Sequence, residues 1–340
     1  MASKPYIELS WTEVLANLKQ NPSILLGNGL SIACDPSFVY NNLLELAVTK
    51  GLPDEVIELF RHLDTANFEQ VMQILDESGY ISELYGCVCP SLGRIREDVE
   101  RTKQALIDAV TVVHGRYPNQ KALEEVRKLA CVEFLRPFHL VYTLNYDFLL
   151  YWVWQRGLDE RAWGTGDGFV SKEGFFTGLQ KGGIRFLHGA LHIYVERGST
   201  KKHHFGRQGH EALLDQVRDG LDNQKYPLFI AEGSDAKKRV GIGRNDYLSA
   251  CFREFSEIGP DLVVYGSSLG PSDAHLVESV INNRKLKRLY VGSLGEPTIE
   301  LEATMRKIAL GRRAKRIDLE LLAMYRADEV MPWDKRAAVE

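Results

Sequence analysis

The chain has 340 residues, 44% of them hydrophobic and 26% charged, with a formal net charge of −4. That length suits about two ordinary domains, or one large domain carrying an insertion, and the near-balanced charge provides no global basic field for nucleic acid. No apolar run approaches the roughly 18 residues that a membrane helix needs.

The first ten residues lack the charged-then-apolar layout of a signal peptide. The five cysteines (Cys34, Cys87, Cys89, Cys131 and Cys251) include no Cys-x-x-Cys pair. This usage reads as reduced cytoplasmic thiols and excludes a four-cysteine zinc ribbon. Ser10-Trp11-Thr12-Glu13 has the form of a capping box and predicts a short helix, ended by Asn21-Pro22. Ser23-Ile24-Leu25-Leu26 predicts a strand that runs straight into Gly27-Asn28-Gly29-Leu30-Ser31. Residues 40–135 predict helices. Apolar positions recur at helical spacing over 42–48, over 67–75 behind Asn67, and over 94–113 and 121–130.

Strands are predicted again at 140–144, 184–187, 228–231, 262–265 and 289–291. Short apolar runs without alternation suit strands buried on both faces of a parallel sheet. Residues 164–183 are glycine-rich and 201–209 are basic and His-rich, so both read as loops, the second exposed. Lys237-Lys238-Arg239 reads as a further solvated loop, and 314–327 as an amphipathic C-terminal helix followed by a tail to residue 340. The expected fold is therefore α/β: a Rossmann-like parallel sheet of about six strands with helices on both faces, forming a single nucleotide-binding domain. The helical subdomain at 40–135 is inserted within it.

Nearly every predicted strand ends in small or polar residues. In an open α/β sheet, ligands bind outside the carboxyl ends of the strands. The glycines at Gly27 and Gly29, with Asn28 and Ser31, suit a pyrophosphate cradle at a helix start, or a plain tight turn. Ile32 stands where the third glycine of the dehydrogenase fingerprint would fall, and no Gly-Lys-Ser/Thr is present, so neither hydride transfer nor a Walker loop is indicated. Asn145 and Asp147 can hold ribose hydroxyls or a water, or cap the helix that follows. His188, beside Gly189, suits a general base near neutral pH. His188 and His192 as a metal pair lack an evident third ligand. His203, His204 and His210 read as solvated, and His275 either reaches the crevice or, more simply, is a surface residue at a helix start. Gly266, Ser267 and Ser268 suit a second phosphate or ribose turn, and Glu232 an acid or ribose partner.

Taken in order, these motifs resemble the sirtuin superfamily. Gly27-Asn28-Gly29-Leu30-Ser31 is similar to its Gly-Ala-Gly-x-Ser loop, and Thr143-Leu144-Asn145-Tyr146-Asp147 to its Thr-Gln-Asn-x-Asp motif. His188-Gly189 matches its catalytic His-Gly, and Gly266-Ser267-Ser268-Leu269 resembles its Gly-Thr-Ser-Leu turn. The agreement spans about residues 20–295 and is nearest to divergent bacterial sirtuin-like proteins. Some of these are known only as a domain of unknown function, and others are NAD-cleaving effectors of anti-phage defence. The four-cysteine zinc module of deacylating sirtuins is absent, since Cys251 is the one cysteine between His188 and Gly266. Leu144 replaces the motif's Gln.

The resemblance implies an NAD hydrolase, with NAD as substrate and no metal. His188, Asn145 and Asp147 would be catalytic. Gly27, Asn28, Gly29, Ser31, Glu232, Gly266, Ser267 and Ser268 would hold NAD. A regulated cytoplasmic effector is implied, with a homo-oligomer and a phage-derived or operon-encoded activator among its expected partners. The competing expectations are a zinc-free deacylase or ADP-ribosyltransferase and a non-catalytic NAD or ADP-ribose sensor.

Overall fold

The computed structural model describes residues 4–86, 91–114, 123–159, 166–169, 174–203, 213–223, 225, 227–230, 235–317 and 319–334. Ten strands lie among them. They are β1 (Ile7–Leu9), β2 (Ser23–Leu26), β3 (Leu140–Thr143), β4 (Gly183–Phe186), β5 (Gly189–Glu196), β6 (Ser199–Lys202), β7 (Pro227–Phe229), β8 (Asp261–Tyr265), β9 (Arg288–Ser293) and β10 (Leu321–Arg326). Seven form one sheet in the order β1-β10-β9-β8-β2-β3-β4, with every pair parallel. β2, β4 and β8 are buried along their whole length. β2 and β8 run largely apolar without a polar face because helices cover both sides of the sheet, and β4 buries Arg185 against Glu254 and the Gly166 carbonyl.

The chain first lays down the edge strand β1 and then crosses to β2 in the middle of the sheet. From β2 it moves through β3 to β4 at one edge. It then returns to the other side of β2 as β8 and moves outward through β9 and β10. Right-handed crossovers in opposite directions put their helices on opposite faces. Helices Glu125–Leu135 and Leu149–Asp159 pack together beside β3, and Ala274–Asn282 packs with Ile299–Ala314 beside β9. The predicted insertion is helical as expected: Tyr40–Thr49, Asp54–His62, Phe68–Leu84, Ser91–His114 and Glu125–Leu135. The capping box is also present. Ser10 Oγ accepts from the Glu13 N–H, and the Glu13 carboxylate accepts from the Ser10 N–H at 2.8 Å.

Four expectations are corrected. The C-terminal helix at 314–327 does not form: helix Ile299–Ala314 ends where it was to begin, and Leu321–Arg326 is strand β10. Leu321-Leu322-Ala323-Met324-Tyr325 is apolar on both faces, and a place between β9 and β1 uses both. The sheet has seven strands because β1 and β10 join it. The strand at 228–231 exists as β7, but it pairs antiparallel with β5 in a separate three-stranded sheet, β6-β5-β7. Lys201 and Lys202 belong to β6, and Lys202 is buried against the carboxylate of buried Asp167. Lys237-Lys238-Arg239 lies in helix Asp235–Arg244, with Lys238 fully buried. Among the described residues, no helix is long and apolar enough to cross a membrane.

Tyr325 ties β10 across the sheet. Its hydroxyl donates to the Val264 carbonyl at 2.9 Å, and it passes over Gly292, where a Cβ would lie 2.9 Å from the ring. Tyr325→Phe is expected to lower stability by about 1 kcal/mol through the lost hydrogen bond. Gly292→Ala is expected to cost about 1–3 kcal/mol through overpacking. Urea midpoints at constant slope measure both.

Candidate functional site

The connections leave β2 and β8 in opposite directions, so the carboxyl ends of these two strands form the topological switch point where open α/β sheets bind ligands. The ladder continues one residue past the strands. Gly27 N–H donates to the Tyr265 carbonyl, Leu144 N–H to Leu26, and Leu187 N–H to Thr143, each at 2.9 Å. The register pairs Tyr265 with Leu26, Leu26 with Thr143, and Thr143 with Phe186. Two steps further along each strand stand Ser267, Asn28, Asn145 and His188. Four residues picked out from four separate motifs thus lie in the turns that follow the carboxyl ends of four adjacent strands.

At the switch point the two glycine turns touch backbone to backbone. A Cβ on Gly27 would lie 2.5 Å from the Gly266 carbonyl oxygen, and one on Gly29 would lie 2.5 Å from Gly266 Cα. Gly266 has φ +70°, and a Cβ there would meet Gly29 Cα at 2.8 Å. The contact is sealed by Gly29 N–H donating to the Gly266 carbonyl at 2.9 Å. The N–H groups of Gly27 and Gly29 are therefore engaged inside the protein. Their glycines serve loop packing before any phosphate cradle. Asn28 Nδ2 donates to the Phe38 carbonyl at 3.2 Å, and Ser267 Oγ accepts from Leu269 N–H at 3.1 Å, while Ser268 is exposed. Trp333, from the C-terminal end, holds the following turn by donating Nε1–H to the Leu30 carbonyl at 2.8 Å.

Ser31, Asn145 and Asp147 are all buried and bonded together. Asn145 Nδ2 donates to Ser31 Oγ at 2.8 Å, and Ser31 Oγ donates to Asp147 Oδ2 at 2.5 Å. Asp147 Oδ1 also accepts from Leu149 N–H at 2.9 Å, so the helix-cap reading holds for it. With both carboxylate oxygens engaged, Asp147 orients Ser31 and the helix Leu149–Asp159. Burial raises its pKa, opposed by the bonds from Ser31 and Leu149. No hydrogen bond among the described residues engages Asn145 Oδ1. The helical insertion reaches this turn through His114, whose Nε2 accepts from the Phe148 N–H at 3.0 Å. His114 is wholly buried between the rings of Phe38, Phe148 and Trp152, and burial takes its pKa down to about 3.

His188 is buried, and its Nε2 lies 3.0 Å from His275 Nε2. His275 Nδ1 lies 3.1 Å from Asp235 Oδ1, and Asp235 Oδ2 accepts from Arg239 Nε at 2.9 Å. The surface assignment of His275 is thus corrected. It is fully buried on the inward side of helix Ala274–Asn282, in company with Leu276, Val277 and Val280. Burial, followed by the Lys238 ammonium, pushes both histidines down, His275 to about 4 and His188 well below the ordinary imidazole value. Both are neutral at pH 7.

His192 does not join His188. It packs against the rings of Tyr151, Phe186 and Phe148, with both ring nitrogens lacking partners among the described residues. Among those residues, no group of three or more His, Cys, Asp or Glu side chains is placed to hold a metal ion. Burial raises the thiols of Cys34 and Cys251 to about 12, and Cys131 also upward, so none of the three is a thiolate nucleophile at neutral pH. Glu232, His204 and His210 lie outside the described residues.

The sequence reading missed His275, Asp235 and His114 as parts of the site. The signal for His275 was its place in the first turn of a helix whose next positions, Leu276 and Val277, face the core. Nothing local marks Asp235 or His114, because their partners lie 40 and 34 residues away.

Fold and site together define an α/β protein with a Rossmann-like parallel sheet that bears buried Ser, Asn, Asp and His side chains beyond the carboxyl ends of its strands. Residues 24–323 match the family model DUF4917, a domain of unknown function, and the chain belongs to that family. No curated protein matches the chain.

Two outcomes follow from this geometry. Gly29→Ala is expected to destabilise by about 1–3 kcal/mol, because backbone rather than a flexible side chain must move; chemical denaturation reads it. The buried histidines are neutral when folded and titrate near 6.5 when unfolded. Below about pH 6.5 the unfolded chain binds more protons, so stability falls as pH falls toward the folded values, about 4 for His275 and 3 for His114. Each contributes a slope of up to about 1.4 kcal/mol per pH unit in that window. Urea unfolding followed by tryptophan fluorescence at pH 4–7 checks this, and a flat profile contradicts it.

Proposed function

We propose that the protein hydrolyses NAD to nicotinamide and ADP-ribose, with His188 as general base. The observation that carries this reading is that Ser267, Asn28, Asn145 and His188 stand in the turns beyond the carboxyl ends of four adjacent strands, which include the two at the switch point. The nicotinamide ring of NAD is positively charged, so it departs readily with the electron pair of its glycosidic bond. Departure leaves an oxocarbenium-like ribosyl carbon. A water then forms the new C–O bond and gives its proton to a base. A neutral, buried histidine suits that step. The Asn145 amide oxygen, unengaged by the described residues, suits a water or a ribose hydroxyl. Ser31 and Asp147 keep that amide in place. Ser267 and Ser268 offer hydroxyls for the phosphates or ribose on the β8 side.

Water as acceptor is favoured over an acyl-lysine because the zinc module of deacylating sirtuins has no counterpart here. Uncontrolled NAD loss would kill a cell, so the reading includes regulation, in the manner of an anti-phage effector released by a protein activator. The helical insertion suits control, since His114 joins it to the turn bearing Asn145 and Asp147.

The test is a time course of NAD loss by wild type, His188→Ala and Asn145→Ala, with products separated chromatographically and binding followed by calorimetry. Wild type is expected to yield nicotinamide and ADP-ribose. Both variants are expected to bind NAD while cleaving it at least about 100-fold more slowly. Saturable binding by wild type with no cleavage, including with operon partners or phage components added, would replace this reading by the sensor. No binding at all would refute it.

A further inference from the structure

We propose that His275 and Asp235 are positioning residues that hold His188 in the Nε2–H tautomer, so that Nδ1 is its basic atom. The tautomer follows from the hydrogen-bond chain. Asp235 is kept ionised: burial pushes its carboxyl upward, but the bond and charge of Arg239, with His275, outweigh it and the net shift is downward. A carboxylate can only accept, so His275 must present Nδ1–H across the 3.1 Å contact. A neutral imidazole carries one N–H, and His275 therefore has a bare Nε2. The 3.0 Å contact between the two Nε2 atoms needs one donor and one acceptor, and His188 must supply the donor. Its Nδ1 is then the atom with a lone pair.

The chain also has a direction. When His188 takes a proton on Nδ1, the new imidazolium still donates Nε2–H to His275, and the positive charge is drawn toward Asp235. Among the described residues, the charged groups that bear on the pair are Lys238, Arg239 and Asp235, with Asp273 beside Lys238. Lys238 bears on both histidines, and Arg239 on His275, each disfavouring added positive charge. Asp235 favours it, and Asp273 lies beside Lys238 with Nζ–Oδ1 at 3.5 Å. Phe252 packs on the His275 ring with centroids 5.8 Å apart and keeps the relay apolar on that side. The three residues come from different places in the fold: the end of β4, the start of helix Asp235–Arg244 and the start of helix Ala274–Asn282. Folding on its own requires no pairing of two buried histidines with one carboxylate. Leaving a defined lone pair on His188 is what the pairing does accomplish.

The catalytic consequence rests on the reading of His188 as the base, whereas the tautomer itself does not, and the experiment separates them. Long-range 1H–15N correlation spectra of the full chain at pH 7 report each ring nitrogen. Wild type is expected to show His188 protonated at Nε2 and His275 at Nδ1. Asp235→Ala is expected to release His275 to the Nε2–H form and turn His188 to Nδ1–H. His188 found as Nδ1–H in wild type, or both rings unchanged in Asp235→Ala, would overturn the proposal. This readout stands even if the protein never cleaves NAD, in which case only the function above fails.

If NAD is cleaved, His275→Phe is expected to lower kcat at least tenfold with KM changed less than about twofold. His275→Gln, whose amide oxygen can accept from His188 Nε2–H, is expected to recover most of that loss. The acid limb of the kcat profile is expected to shift in Asp235→Ala. Equal loss in His275→Phe and His275→Gln, with Gln folded by circular dichroism, would count against a positioning role.

Discussion

Two turns meet backbone to backbone at the centre of the sheet, and the arrangement of the site follows from that contact. Gly27 and Gly29 lie against Gly266 so closely that a single methyl group on any of them would collide with main-chain atoms. The reason is topological. β2 and β8 are neighbours whose connections leave in opposite directions, so no connection crosses between them and their two turns face each other directly. Close approach of the turns brings Ser31 over the end of β3, where it can bond Asn145 and Asp147. It also sets the strand from which Ser267 projects.

Around this contact the protein has assembled polar groups in a largely apolar interior, and each is tied to another. Ser31 bonds both Asn145 and Asp147, while His188, His275 and Asp235 form a second chain. Unpaired polar groups at such burial would cost more than the bonds return, so these networks are both rigid and sensitive to substitution. Asp235 reaches its histidine from a partly exposed position, where Arg239 links it onward to Glu278. The buried end of that chain is His188. A charge held near the surface therefore orients a ring held in the core.

The helical insertion and the C-terminal segment both reach the site from outside the sheet. His114 closes the first turn after β3, and Trp333 binds the Leu30 carbonyl after β2. These two contacts bind the βα turns that carry Asn28, Ser31, Asn145 and Asp147 to elements distant in sequence. Membership of a family described only as a domain of unknown function leaves the chemistry to be argued from these residues.

Much of this was legible in the sequence. Ser23–Leu26, Leu140–Thr143 and Asp261–Tyr265 are short apolar runs ending in Gly, Asn or Ser, and that pattern alone announces a parallel sheet with a polar carboxyl edge. The helical periodicity of the insertion was equally plain, as was the capping box at Ser10. The sequence could not tell a strand from a helix at Leu321–Arg326, where an apolar run suits either until β9 and β1 flank it. Nor could it place β7 in the second sheet, bury Lys238, or turn His275 inward. Those outcomes depend on partners 33 to 87 residues away, and only the packed chain decides which long-range neighbour a side chain meets. Residue types and local periods were written in the sequence, whereas the pairing of His188 with His275 and Asp235 was decided by the tertiary structure, because three separate elements must converge before any of those hydrogen bonds can exist.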